Sequence, residues 1–248
     1  MSLWQNFKDY ILNKTGMQTL LNRTQILEDN RDSQEILAAI TFNHAIAESE
    51  WLKHKAFFPG RWAVEYTFLL SLYRILSHHE FKNLLEFGLG QTSRMVHQYA
   101  TFYKVPATTV EHDEDWIKFT QKDTKSTYPI NTKVLPLEMI DYKGFSTRTY
   151  QGVESAFVNQ KFDFILVDGP FGSEHYSRSQ IIHLAENNLA ETFCIIIDDT
   201  NRIGEQETIE EIKNTLSSKG IKFALNTYSG KSDHTVICSE NLKFLTSL

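Results

Sequence analysis

The sequence predicts an α/β protein on a Rossmann-like, seven-stranded, mostly parallel sheet. A C-terminal antiparallel hairpin closes the sheet, and a helical N-terminal segment precedes it. Three observations lead there. From residue 84 onward, short β-rich apolar runs alternate with helical patterns, which implies crossover connections and helices on both faces of a parallel sheet. The last two β-rich runs are joined only by Thr227 to Asp233, including Ser229-Gly230, so they form a hairpin and one of them runs antiparallel. The first β-rich run turns sharply into a helix through Gly88 and Gly90.

Residues 1 to about 58 read as helices. Trp4, Phe7, Tyr10 and Ile11 recur at intervals of three and four, and Ile36, Leu37, Ile40 and Ala47 do so again with acids between. Phe57-Phe58-Pro59-Gly60 breaks the pattern and separates a helical extension, 1–60, from a Rossmann-like domain, 61–248. An apolar helix from Trp62 to Ser77 leads into the first strand. β-rich runs follow at 84–87, 107–111, 132–136, 162–167, 193–198, 221–226 and 234–238. Helical patterns at 92–103, 114–122, 176–189 and 204–219 fall between most of them. The sequence has no internal repeat and no low-complexity segment.

Composition narrows the function. A length of 248 residues fits one large domain, or one with an extension, and 41% hydrophobic residues supply a core. The formal charge is −6, with 31 acids against 25 bases, which argues against a duplex nucleic-acid binder. Cys194 and Cys238 lie in apolar runs without Cys-x-x-Cys partners, so two buried reduced thiols are expected rather than a disulfide or zinc site. The first ten residues lack the apolar core of a signal peptide, and the longest apolar stretch, Phe68 to Leu76, is interrupted by Ser71 and Arg74. The expectation is a cytoplasmic protein acting on a small molecule, with neither membrane nor nucleic acid as partner. Homo-oligomerisation stays open.

The most informative stretch runs from Asn83 to Ser93. A buried strand ends at Glu86, and Gly88 and Gly90 let backbone pass close to a ligand while the new helix offers unpaired N–H groups. A dinucleotide fingerprint would need a third glycine at Ser93, and a phosphate-binding P-loop would need Gly-Lys-Ser/Thr, which is absent. The carboxylate two residues before Gly88 suits a cationic ligand better than a pyrophosphate. This Glu86-x-Gly88-x-Gly90 turn resembles the first motif of the class I S-adenosylmethionine-dependent methyltransferases. Seven strands with a terminal antiparallel hairpin resemble their sheet, over roughly residues 62 to 240.

Further carboxylates stand at strand ends. Glu111 closes the second strand, 21 residues beyond Gly90, where an acid accepts hydrogen bonds from ribose hydroxyls of either cofactor class. The resemblance assigns Glu111 to the ribose, the Glu86 to Gly90 turn to the methionine part, and Asp168 to the region beside the reacting methyl. Asp113, Glu114 and Asp115 read as a capped helix start. Trp116 stands near the adenine position or packs.

Asp168 ends a run in which five of six residues are apolar, and Asp198 and Asp199 end the next one. Adjacent strand ends would bring these acids together, which is costly unless a cation or protonation relieves it, so they form a candidate site for Mg²⁺ or another hard divalent ion. The arrangement resembles metal-dependent O-methyltransferases of the catechol type. It departs from them in lacking a lysine after Asp168, where Gly169-Pro170-Phe171 stands, and in lacking the Asn of the second acidic pair. The competing reading has Asp168 ordering the site while Asp198 and Asp199 cap a turn or bind substrate.

His175 is a candidate general base. Arg178 and Arg202 are candidate anion ligands or structural ion pairs. Trp62 and Tyr66 line an acceptor pocket or pack in the core. These readings together point to methyl transfer from S-adenosylmethionine to a small-molecule hydroxyl. A nicotinamide-dependent oxidoreductase, an aminopropyltransferase on the same fold and a non-catalytic binding protein remain as rivals.

Overall fold

A computed structural model describes residues 14, 17–59, 63–122 and 128–247. Trp4, Phe7, Tyr10, Ile11, Gly60, Arg61 and Trp62 therefore lie outside the described residues. Within the described chain, the pattern from Ile36 to Ala47 belongs to one long helix, α1 (Met17–Ala47). Ala38, Phe42 and Ile46 recur every fourth residue and bury against α2 (Tyr66–His78). Glu35 of α1 accepts hydrogen bonds from the backbone N–H groups of Tyr66 (2.5 Å) and Thr67 (3.2 Å), so a carboxylate from one helix satisfies the free amides at the start of the next.

The alternating part is built from β1 (Leu84–Phe87), α3 (Gln91–Tyr103), β2 (Ala107–Glu111), α4 (Glu114–Gln121) and β3 (Thr132–Val134). After an insertion come β6 (Phe162–Val167), α6 (Gln180–Asn187), β7 (Leu189–Ile197), α7 (Ile203–Ser218), β8 (Phe223–Tyr228) and β9 (His234–Ser239). The insertion holds β4 (Leu137–Tyr142), β5 (Phe145–Tyr150) and a short helix, α5 (Val153–Ala156). The main sheet has seven strands in the order β3-β2-β1-β6-β7-β9-β8. β9 alone runs opposite to the other six strands, inserted between β7 and β8. This is the mostly parallel sheet with an antiparallel last pair that the resemblance implied.

The strands alternate their side chains between two cores. Leu84, Phe164, Leu166, Cys194, Ile196 and Val236 face α2 and α3, while Leu85, Phe87, Ile165, Val167, Ile195 and Ile197 face α6 and α7. Cys194 and Cys238 are buried free thiols on paired strands. Phe42, Ile46, Trp51, Leu52 and Phe57 join the first core, so residues on both sides of position 60 share it. Among the described residues, no helix is long and apolar enough to cross a membrane.

Chain order reverses between β1 and β6, and the crevice outside their carboxyl ends is where open α/β sheets bind ligands. The segment between β3 and β6 holds a hairpin that the sequence reading left unassigned. Its two-residue turn, Lys143-Gly144, has positive φ at both positions (55° and 84°), as a tight hairpin connection requires.

Candidate functional site

The first wall of the crevice is the β1–α3 turn. Gly88 sits at φ +92°, and a Cβ there would lie 2.6 Å from the Asp168 carbonyl oxygen. The ends of β1 and β6 thus approach more closely than any side chain permits. Gly169 mirrors it, since a Cβ there would lie 2.9 Å from Gly88 Cα and 2.8 Å from the Tyr150 hydroxyl. Gly90 differs. It is the N-cap of α3, its N–H donates to Ser93 Oγ (3.0 Å), and a Cβ on it would meet nothing within 4 Å among the described residues. Among the described residues, the N-terminus of α3 therefore opens onto free space.

Glu86 does not face that space. Its side chain is fully enclosed, with Oε1 accepting from Thr92 Oγ1 and Oε2 from Thr109 Oγ1, both at 2.6 Å. The Thr109 hydroxyl stands 2.8 Å from His97 Nε2, so a line of hydrogen bonds fastens α3 and β2 to β1. Burial pushes the Glu86 carboxyl up to about 7, against the hydroxyl bonds that favour its charge.

Glu111 stands where the sequence placed it, at the end of β2. Its Oε2 accepts from Leu89 N (3.1 Å), and its Oε1 accepts from the backbone of His112 (2.6 Å) and Asp113 (3.0 Å). Trp116 Nε1 donates to the Leu89 carbonyl (2.7 Å), so both backbone polar groups of Leu89 are held by side chains. Asp113 caps α4 through the N–H groups of Asp115 and Trp116. The rings of His112 and Phe171 meet edge to face at 5.9 Å beside this strand end.

The second wall gathers acids. Carboxylate oxygens of Asp168, Asp198 and Asp199 all lie within 4.8 Å of one another. They border a cavity of about 90 Å³ completed by Ala63, Val64, Glu65 and Arg202. The cation that sequence reasoning sought between them is in part a side chain. Arg178 is buried, and its Nη2 lies 2.7 Å from Asp199 Oδ2 and 3.4 Å from Asp168 Oδ1. Its Nη1 donates to the carbonyls of Asp198 (2.9 Å) and Val167 (3.3 Å), clamping the ends of β6 and β7 together. Arg202 adds a second cation 2.8 Å from Asp199.

Acidic groups still outnumber basic ones here. Burial, with Asp199 adding and Arg178 opposing, raises Asp168 to about 7. Burial, then the neighbouring Asp168 and Asp199, pushes Asp198 well above the usual carboxylate range. Burial also raises Glu65 and Glu205. Arg178 stays charged, because the acids around it outweigh its burial. Two buried carboxylate oxygens, Asp198 Oδ1 and Glu205 Oε2, have no hydrogen-bond donor among the described residues. Arg178 and Asp199, which meet beside the cavity, take positive φ (58° and 63°), as does Tyr176 (46°) two residues before Arg178.

His175 stands apart from this arrangement. Its Nδ1 is bound to Glu207 of α7 at 2.8 Å, its ring lies 4.0 Å from that of Phe145, and it does not line the acidic cavity. Sequence reasoning missed Glu65 as a cavity wall and the burial of Arg178. Glu65 carried no motif. Arg178 lies in a polar stretch that reads as exposed, although the predicted repulsion among the acids was itself a signal for a nearby cation.

No protein-family model matches the chain, and no curated protein does. Among solved structures, a methyltransferase from Pyrococcus furiosus is 16% identical over 84% of this chain and 98% of its own, with a TM-score of 0.46. A Staphylococcus aureus protein proposed as a caffeoyl-CoA O-methyltransferase is 14% identical over 85% of this chain and 99% of its own, with a TM-score of 0.48. A precorrin-6y C5,15-methyltransferase from Geobacter metallireducens is 10% identical over 69% and 87%, with a TM-score of 0.44. At these identities the likeness is one of fold.

Proposed function

We propose that this protein transfers the methyl group of S-adenosylmethionine to a hydroxyl of a small molecule. The observation that carries the reading is the pairing, across one crevice, of an open helix N-terminus at Gly90 with a carboxylate-lined cavity at Asp168, Asp198 and Asp199. The space beside Gly90, which a Cβ would fill, suits the methionine part of the cofactor, and Glu111 keeps acceptor capacity on Oε2 for a ribose hydroxyl. Glu86 acts one layer behind, holding the turn in shape through Thr92 and Thr109. Positioning is the main demand of an in-line displacement at a sulfonium methyl, and a rigid turn meets it.

The acidic cavity suits a hard divalent cation, since Asp198 Oδ1 is buried without a donor and every protein ligand on offer is oxygen. Asp168, Asp198 and Asp199 would hold the ion, whose chemistry is to lower the pKa of a bound hydroxyl. Arg178 keeps the Asp168 and Asp199 carboxylates in place, and Glu65, which lines the same cavity, is a candidate to accept a proton from an acceptor. His175, held by Glu207, is the weaker candidate for that base.

The test is ligand-dependent melting of the purified chain. S-adenosylmethionine or its demethylated product at about 100 times its dissociation constant should stabilise the fold by roughly 2.7 kcal/mol. NAD should give no comparable shift, and Mg²⁺ should give one that EDTA reverses and Asp198→Asn abolishes. A shift with NAD alone would defeat the methyltransferase reading; cofactor binding without any response to Mg²⁺ would leave the acids to substrate or structure.

A further inference from the structure

Helix α1 carries apolar residues on two opposite faces, and among the described residues only one of them is covered. The inner face, Arg31, Glu35, Ala38, Phe42 and Ile46, lies against α2 and the loop between β8 and β9. At about 100° per residue, Ile26, Ile36, Leu37 and Ile40 fall on the opposite side. They are 66%, 62%, 65% and 63% exposed. A surface helix of a globular protein is ordinarily polar there. Single exposed apolar residues are common, but a stripe of them on one face marks an interaction site. Arg23, Thr24, Ile26, Glu28 and Asn30, toward the start of the helix, are all exposed.

We propose that this stripe is the interface between two copies of the chain, with α1 packed antiparallel against α1 of a second copy. One register sets apolar side chains against each other at both ends of the stripe. Ile26 and Ile40 are equally distant from Ser33, which lies on the same stripe, so a two-fold axis there sets Ile26 of one copy opposite Ile40 of the other. The area is sufficient. Four such side chains expose about 100 Å² of apolar surface each, so two copies bury about 800 Å² of it. At the usual apolar share of about 60%, the whole interface comes to about 1,300 Å², within the range of stable complexes. The flanks carry Glu28 and Asp32 as well as Arg23, which lacks the basic excess of a membrane-surface helix. The inner face of the same helix braces the acidic cavity. Glu35 holds the start of α2 beside Glu65, and Arg31 bonds the carbonyl of Lys231, next to the Ser232 hydroxyl that donates to Asp199.

Sedimentation equilibrium of the full chain tests the proposal. Wild type should run at twice the 28.8 kDa chain mass, and Leu37→Glu with Ile40→Glu should run at the single mass with unchanged far-UV circular dichroism. Ile26→Cys with Ile40→Cys should give a covalent dimer under oxidation, since the native Cys194 and Cys238 are buried. A wild type that stays monomeric at micromolar concentration overturns the proposal, including one that floats with anionic vesicles. So does a dimer that survives the double glutamate variant, or a folded double-cysteine variant that forms no intermolecular bridge.

Discussion

Two buried acidic centres lie at the same edge of the sheet, and they are satisfied to different degrees. At Glu86 both carboxylate oxygens receive short hydroxyl bonds, and His97 extends the network without leaving the protein interior. At Asp168, Asp198 and Asp199, two arginines serve several carboxylates, two buried oxygens in the cluster and in adjoining Glu205 lack donors, and the group opens onto a cavity. Burial raises Glu86 and Asp168 to the same value, about 7, so a raised carboxyl alone does not separate framework from site. The difference lies in unfilled hydrogen-bonding capacity beside open space, which the second centre has and the first lacks.

The sharpest way to break that contrast is to remove the cation of the second centre. Arg178→Met keeps the volume but leaves the ends of β6 and β7 unclamped and their carboxylates facing each other. Loss of one partner from a buried ion pair costs about 3–5 kcal/mol, so urea unfolding at pH 8 should show a loss of that size. A loss below about 1 kcal/mol would mean that the acids are already neutralised by protonation or by a bound cation.

The first centre should reveal itself through pH. Glu86 has its folded pKa raised from 4.5 to about 7, so its contribution is fully present below 4.5 and is lost as pH rises through 7. That interval corresponds to about 3 kcal/mol. His97 works in the opposite sense: burial lowers it from 6.5 to about 4, so its contribution is present above 6.5 and lost as pH falls toward 4. Glu86→Gln removes only the first effect. The stability of wild type relative to this variant should therefore fall by about 3 kcal/mol between pH 4.5 and 7.5, and the variant alone should weaken visibly on acidification below 6.5. A difference that does not change with pH would show that Glu86 keeps an ordinary pKa.

These contrasts also explain what was legible in the sequence. Parallel strands buried on both faces leave continuous apolar runs, so β1 and β6 could be placed to the residue, and the acids ending β2, β6 and β7 were plain. The hairpin at 137–150 was not, because its strands mix exposed and half-buried positions and its Lys-Gly turn is a weaker signal than Asn-Gly. The helix expected from 176 begins only at Gln180, since Tyr176 and Arg178 take positive φ and turn Arg178 inward. Side-chain burial of that kind is set by tertiary contacts from β6 and β7, which no local pattern encodes. Likewise Glu86 reads as a ligand from its spacing, and only the positions of Thr92 and Thr109 show that its oxygens are occupied.

Within the β1–α3 turn the same contrast recurs on a smaller scale. Gly88→Ala would force an L-residue to φ +92° and place its Cβ against the backbone of Asp168, so a loss of about 1–3 kcal/mol is expected in chemical denaturation.

The smallest effect on stability, and the most informative one, is expected at Gly90. Its φ of −159° and ψ of −150° are extended, and a Cβ there meets no described atom within 4 Å, so Gly90→Ala should change stability by no more than about 0.5 kcal/mol. The same methyl group would nonetheless project into the space that the proposed cofactor needs, where backbone must approach ligand closely. Titration calorimetry should then show S-adenosylmethionine binding weakened by at least about tenfold, equivalent to roughly 1.4 kcal/mol, in a protein that melts like wild type. Gly90→Val should abolish binding. A folded Gly90→Val chain with wild-type affinity would make the turn a structural connection in both its glycines, and would move the search for the cofactor away from the α3 N-terminus.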